Sequence, residues 1–382
     1  MPNDNPIYLD HNATTPVAPE VVDAMLPLFR EGFGNPSSGH VYGQRARRAL
    51  ERARAQVAAL LGCEPDEILF TSGGTEANNL AIRGATEARL ERRHLVTSAV
   101  EHPATLEPCR ELGRRGFRLD VAPVGADGRV SVEVVASVLS DETSLVTLMH
   151  ANNETGVVQP VRGVADAAKK RGALVHTDAA QSVGKLRVDV NELGVDLLSV
   201  AGHKVQAPKG VGALFVRRGT SLRPFMLGAG HERGLRPGTE NVALAVGLGV
   251  ACELARRALG ERTEHMRALA DRLWGRLVES VPCVALNGYP APRLPNTLNV
   301  RFPGVSGSAL LAAAPEVAAS TGSACHAGSE RPSAVVLAMG VPPDEALGTV
   351  RLSVGPTTSE GEVDRAAAAL VRAWRSLRGE AS

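Results

Sequence analysis

The sequence predicts an α/β protein: a large domain built on a mostly parallel sheet, followed by a smaller α+β domain in the C-terminal third. Three observations carry this. Between residues 68 and 216, short apolar runs alternate with segments of helical spacing, the pattern of strands joined by crossover helices. The runs are apolar enough to be covered on both faces, as strands of a parallel sheet are. With 382 residues, the chain is long enough to bury more than one core.

The elements follow in order. A short strand is expected at 7–10 and helices near 19–33 and 41–61. The sheet strands are expected at 68–71, 95–98, 145–150, 173–177, 197–201 and 212–216, with helices at 75–88 and 161–171 and a weaker one at 131–139. A helical pattern from 240 to about 280 leads into a second unit with strands at 297–302 and 350–354 and a helix at 360–377. The large domain is placed at 14–255, and the small one at 256–382 together with residues 1–13.

Composition removes several function classes. A formal net charge of +1 provides no field to draw in nucleic acid, and aromatic residues at 3% leave few stacking surfaces. No apolar run approaches the length that spans a bilayer, and residues 1–6 lack a basic and apolar leader pattern, so the expectation is a cytoplasmic protein without a membrane partner. The five cysteines, Cys63, Cys109, Cys252, Cys283 and Cys325, show neither CxxC nor Cys/His zinc spacing, so neither a metal nor a disulfide framework is expected. Cys252 and Cys283 stand in apolar patterns and read as small core residues.

Ligands of parallel sheets bind beyond the carboxyl ends of the strands, and three polar motifs fall there. Gly73-Gly74-Thr75 follows an apolar run and opens a helix; such a turn aims backbone amides at an anion, although it also serves as a plain strand–helix junction. Asp178 ends a second run, with Gln181 one turn on; it suits either a carboxylate pairing with a protonated ring nitrogen or a simple helix cap. His203-Lys204 ends a third, where a desolvated, amine-reactive lysine would sit. An anion cradle, a carboxylate and a lysine in that order are the parts that a pyridoxal phosphate site needs.

With those motifs in view, the chain resembles the cysteine desulfurase and selenocysteine lyase family. The resemblance is carried by Asp10-His11-Asn12-Ala13-Thr14-Thr15-Pro16, Gly34-Asn35-Pro36-Ser37-Ser38, Glu101-His102, Asn152-Asn153-Glu154-Thr155-Gly156, Gly230-His231-Glu232-Arg233, Arg236-Pro237-Gly238-Thr239-Glu240-Asn241 and Gly322-Ser323-Ala324-Cys325. It runs from about residue 7 to 358. It implies the aspartate-aminotransferase-like fold, a homodimer, and pyridoxal 5′-phosphate as cofactor. By resemblance, Lys204 bonds the cofactor and moves the Cα proton, Asp178 pairs with the pyridine nitrogen, Gln181 meets the ring hydroxyl, and His102 stacks on the ring. Gly74, Thr75 and His203 hold the phosphate, with Thr239 arriving from the partner subunit, while Asn153 and Arg351 bind the substrate carboxylate. Cys325 accepts sulfur from L-cysteine and passes it, as a persulfide, to an acceptor the sequence does not name; iron–sulfur cluster assembly is one expected use.

Cys325 is also singled out by its surroundings, since nearly every residue from 320 to 329 is small; such a segment has little to pack and is expected to let a thiol travel. Two departures from the family stand out. Ala201 occupies a place where many relatives carry a serine, so one phosphate hydroxyl is missing. The sequence also ends at Ser382, soon after its last helix, whereas relatives that serve an iron–sulfur scaffold often continue. The rival readings are a selenocysteine lyase acting on L-selenocysteine, another pyridoxal phosphate reaction such as transamination, and a non-catalytic cofactor-binding partner.

Overall fold

The structure, a computed structural model, describes residues 5–321 and 331–379. The first strand, β1 (Ile7–Tyr8), is followed by seven strands that form one sheet: β2 (Ile68–Thr71), β3 (His94–Ser98), β4 (Arg118–Ala122), β5 (Thr143–Thr147), β6 (Leu174–Asp178), β7 (Leu197–Ala201) and β8 (Gly212–Val216). Their spatial order is β2-β8-β7-β6-β5-β3-β4. Every pairing is parallel except the two made by β8, which runs antiparallel between β2 and β7. β2, β6 and β7 therefore end on the same side of the sheet.

The apolar runs have their physical reason in the two faces. Along β2, Ile68 and Phe70 enter one hydrophobic cluster while Leu69 enters another. Val96 and Leu95, Val146 and Leu145, and Leu198 and Leu197 divide in the same way. Side chains alternate across a strand, so a sheet buried on both faces favours apolar residues at successive positions.

A second core gathers Leu9, Leu273, Val300, Leu352, Leu370 and Trp374. It lies against a three-stranded antiparallel sheet of β9 (Ala285–Leu286), β10 (Thr297–Arg301) and β12 (Thr349–Ser353), and the short β11 (Val317–Ala318) pairs in parallel with β1. Leu9 in this core and the Asp10–Ser353 bridge tie the start of the chain to β12. Among the described residues no helix is long and apolar enough to cross a membrane.

The structure corrects several sequence expectations. The helical pattern at 240–280 is two helices, Val242–Arg257 and Leu259–Ser280. β4 and the helix Pro103–Arg114 were not anticipated: β4 is an edge strand with Arg118 and Val121 exposed, and Pro108 sits inside the helix and obscures its period. The strand expected at 145–150 lies earlier, at Thr143–Thr147, because its polar Thr143 and Ser144 are themselves buried. Cys283 is exposed rather than in the core. It follows Pro282 in a turn and has φ of 61°, and the strand of that apolar run, β9, begins only at Ala285.

Candidate active site

Each functional side chain is delivered by a strand end or by the segment entering from the N-terminus. β2 ends in a turn at Ser72-Gly73, where Gly73 takes φ of 149°, a value favouring glycine. The helix Gly74–Glu87 starts immediately afterwards, so its first N–H groups and its positive dipole end face the cavity. A Cβ on Gly74 would stand 3.2 Å from the Cβ of Ala201, so the glycine keeps that wall open. This is a seat for an anion such as phosphate.

Asp178 closes β6 and is buried. Its Oδ2 accepts from Asn78 Nδ2 at 2.7 Å and its Oδ1 accepts from the Ala180 N–H at 2.9 Å, so the carboxylate is fixed from both oxygens. His102 caps the helix Pro103–Arg114, with Nδ1 accepting from the Ala104 N–H at 3.1 Å. Loss of solvation, with the Lys204 charge adding to it, holds the His102 pKa below the usual histidine value. The ring is accordingly neutral, with its proton on Nε2.

Lys204 lies in the 3-10 turn Gly202–Lys204 that follows β7. Its Nζ donates to the Ala13 carbonyl at 2.7 Å and to the Asn12 carbonyl; among the described residues no carboxylate bonds it. Burial first, and the Arg351 charge second, lower its pKa to about 8, against the opposing pull of Asp10 and Asp178. A lysine so placed supplies neutral amine near physiological pH and is a nucleophile. Beside it His203 is pushed down to about 4, by burial first and then by Lys204; its Nδ1 meets Thr14 Oγ1 at 3.2 Å.

Arg351 reaches in from β12. Its Nη2 donates to Asp10 Oδ1 at 2.7 Å and its Nη1 to the Asn153 carbonyl at 3.1 Å, while its buried Nε meets no partner among the described residues. Gln181 donates from Nε2 to the Asn12 carbonyl at 3.0 Å.

These groups share one cavity of about 480 Å³. Its walls include Lys204, Asp178, His102, Gln181, His203, Gly74, Thr75, Asn153 and Arg351, and Asp10 and Asn12 line it as well. Of the expected site residues, Thr239 stands apart, exposed and outside the cavity wall. Cys325 lies outside the described residues. Sequence reasoning gave no role to Asp10, Asn12 and Asn78; the available signal for the first two was that they are polar residues inside a motif that carries the family resemblance.

The set fits pyridoxal phosphate. An amine bonded to two backbone carbonyls, a carboxylate immobilised at a strand end, and an open, glycine-walled helix N-terminus occupy one cavity of a volume that holds a cofactor.

The chain belongs to the class-V aminotransferase family, whose model matches residues 7–366. Within that family of pyridoxal phosphate enzymes it stands with the cysteine desulfurases. It is 47% identical over 362 residues to the cysteine desulfurase NifS of Azotobacter vinelandii, covering 94% of this chain and 90% of that one. The solved structure of a NifS-like protein superposes with a TM-score of 0.89 at 37% identity, covering 96% of this chain and 98% of the other. The structure of SspA in complex with cysteine matches with a TM-score of 0.80 at 38% identity, over 92% of this chain and 99% of that one. The fold is therefore that of the NifS-like enzymes, as the sequence predicts.

Proposed function

We propose that this site takes sulfur from L-cysteine, releasing L-alanine and leaving a persulfide on Cys325. The observation that carries the reading is the sharing of one cavity by the Lys204 amine, the Asp178 carboxylate and the Arg351 guanidinium.

When bound here, pyridoxal phosphate supplies an electron sink for the carbon attached to the substrate nitrogen. The protein's own residues do the rest. Lys204 would bond the cofactor, and its free amine would carry the proton from Cα of the substrate. Asp178, fixed by Asn78 and Ala180, keeps a proton on the pyridine nitrogen, while His102 covers the ring. Gly74, Thr75 and His203 take the phosphate, and Arg351 with Asn153 takes the substrate carboxylate. The Cys325 thiolate attacks the substrate sulfur: an S–S bond forms as the Cβ–S bond breaks, the bonding pair stays with carbon, and Cβ gains a proton on the way to alanine. The chemistry of the other thiols supports this choice. Cys63 and Cys252 are pushed up to about 12 by burial, Cys109 is pushed up as well, and neither these nor Cys283 line the cavity.

The working unit is a homodimer in the cytoplasm, with Thr239 completing the phosphate seat of the partner subunit. The exposure of Thr239 outside its own cavity, and of Phe29, Phe33 and Leu227 at 62%, 70% and 90%, supports this arrangement. The sulfur acceptor is a protein or small molecule, iron–sulfur cluster assembly being one route.

The test compares wild type with Cys325→Ala for sulfide and alanine release from L-cysteine in the presence of a reductant. Equal release of both products by wild type, with sulfide lost in a variant that still binds cofactor, supports the reading. An enzyme inert to L-cysteine but active on L-selenocysteine is a selenocysteine lyase instead. Equal turnover by both proteins removes Cys325 from the mechanism.

A further inference from the structure

Lys185 is a buried lysine that the mechanism above leaves unused. It follows β6 by a short turn, and its carbonyl accepts from Thr263 Oγ1 at 2.9 Å. Among the described residues no carboxylate bonds it. Its Nζ donates to Asn12 Oδ1 at 2.9 Å and to Gln181 Oε1 at 3.0 Å. Burial first, then the charges of Lys204 and Arg351, hold its pKa well below the usual lysine value, and it helps in turn to depress that of His11. An apolar side chain of similar length would fill this space without the cost of desolvating an amine, so its presence asks for a role.

The role lies in what the amine does to two amides. A primary amide has nearly the same shape with its oxygen and nitrogen exchanged, and its neighbours decide which end points where. Lysine offers two N–H groups as an amine and three as an ammonium, so in either state it can satisfy both amide oxygens. With Gln181 Oε1 held by Lys185, the Gln181 NH2 must turn the other way. One of its hydrogens goes to the Asn12 carbonyl, the same oxygen that accepts from Lys204; the second is left for the cavity that Gln181 lines. The Asn12 side chain is fixed by the same logic. Its Oδ1 also accepts from Asn296 Nδ2 at 3.1 Å, and its Nδ2 donates to Thr297 Oγ1 at 2.8 Å.

We propose that Lys185 is a positioning residue that locks Gln181 as a hydrogen-bond donor toward the ring oxygen of the bound cofactor, and so favours the ionised form of that oxygen. The inference rests on the reading that Gln181 meets the ring hydroxyl.

The test is the absorption spectrum of the holoprotein as a function of pH, with thermal midpoints recorded alongside, for wild type, Gln181→Ala, Lys185→Met and the double variant. Gln181→Ala and Lys185→Met are each expected to raise the apparent pKa of the bound cofactor by about 1, and the double variant to go no further than Gln181→Ala alone. A shift in Gln181→Ala with none in Lys185→Met overturns the inference and leaves the reading of Gln181 standing. No shift in either overturns both. Additive shifts mean that Lys185 acts through its own charge, which also overturns the inference. If Lys185→Met does not fold, Lys185→Arg and Lys185→Gln make the comparison. Arginine keeps the N–H donors and should hold the wild-type pKa, glutamine should raise it, and equal behaviour of the two sinks the proposal.

Discussion

Arg351 and Asp10 stand 341 residues apart in the chain, yet Arg351 Nη2 donates to Asp10 Oδ1 at 2.7 Å on the wall of the active-site cavity. The pair sets the guanidinium plane before any substrate arrives, because the Asn153 carbonyl holds Nη1 at the same time. A planar fork is what a substrate carboxylate needs. Arg351→Lys keeps the charge and loses the fork, at a cost of about 1.5–3 kcal/mol, typical of a hydrogen bond to a charged group. KM for L-cysteine is expected to rise by at least about tenfold, with a smaller change in kcat. Steady-state kinetics check this, and an unchanged KM would place the carboxylate elsewhere.

On the proposed reading, Lys204 sets how the apoprotein takes its cofactor. Its pKa is lowered to about 8, so the ammonium dominates below that value and the reactive amine above it. Covalent capture of pyridoxal phosphate should therefore quicken about tenfold between about pH 7 and pH 9 and then level off. Because Arg351 helps to depress this pKa, Arg351→Met should move the profile to higher pH. Stopped-flow absorbance gives the rates; a wild-type profile still climbing near 10.5, the ordinary lysine value, would contradict the burial argument.

Ala201 lines the cavity where its Cβ faces Gly74, the end proposed to take the cofactor phosphate. Ala201→Ser supplies a hydroxyl at that end, and one net hydrogen bond is worth about 0.5–1.5 kcal/mol. Cofactor affinity is expected to rise by about 2- to 10-fold, read by equilibrium titration of the apoprotein. Weaker binding would show that the hydroxyl crowds the helix N-terminus instead.

A fourth expectation concerns stability. Arg54 is buried and its guanidinium meets Glu232 twice, Nη2 to Oε1 at 2.8 Å and Nη1 to Oε2 at 2.9 Å, while Glu232 Oε2 also accepts from the Phe70 N–H. Glu232→Ala leaves the buried Arg54 with only the more exposed Glu51, 3.3 Å from its Nε, as counter-charge, a loss of about 3 kcal/mol, the low end for a broken buried pair. Denaturant unfolding should show the loss; a midpoint within error of wild type would mean that water reaches Arg54.

Much of this was legible in the sequence because the sheet imposes it. Lys204 and Asp178 end apolar runs, and a parallel sheet covered on both faces sends the ends of such runs to one crevice. Gly74 and Thr75 were legible for the same reason. What stayed hidden depends on distance along the chain or on exposure. Lys185 looks like a surface lysine after a glycine turn, and only the fold brings Asn12 to it across 173 residues. β4 lacks an apolar run because it is an edge strand, half in water. Asp10 and Arg351 come from opposite ends of the sequence, and no local pattern announces their pairing.

The joining of the first strand to the last has a consequence for biosynthesis. Lys204 bonds the carbonyls of Asn12 and Ala13, and that segment is held in turn by Ser353, whose hydroxyl accepts from the Asn12 N–H. The ribosome makes Asn12 early and Ser353 more than three hundred residues later. The nascent chain can assemble β2 through β8 as they emerge, and Lys204, Gln181 and Lys185 can then bond the Asn12 segment, but its second anchor, Ser353, arrives only when β12 is made. The cavity is therefore complete only on delivery of the C-terminal strand, which brings Arg351 as well as Ser353, and a prematurely truncated chain would form the sheet with an unfinished site.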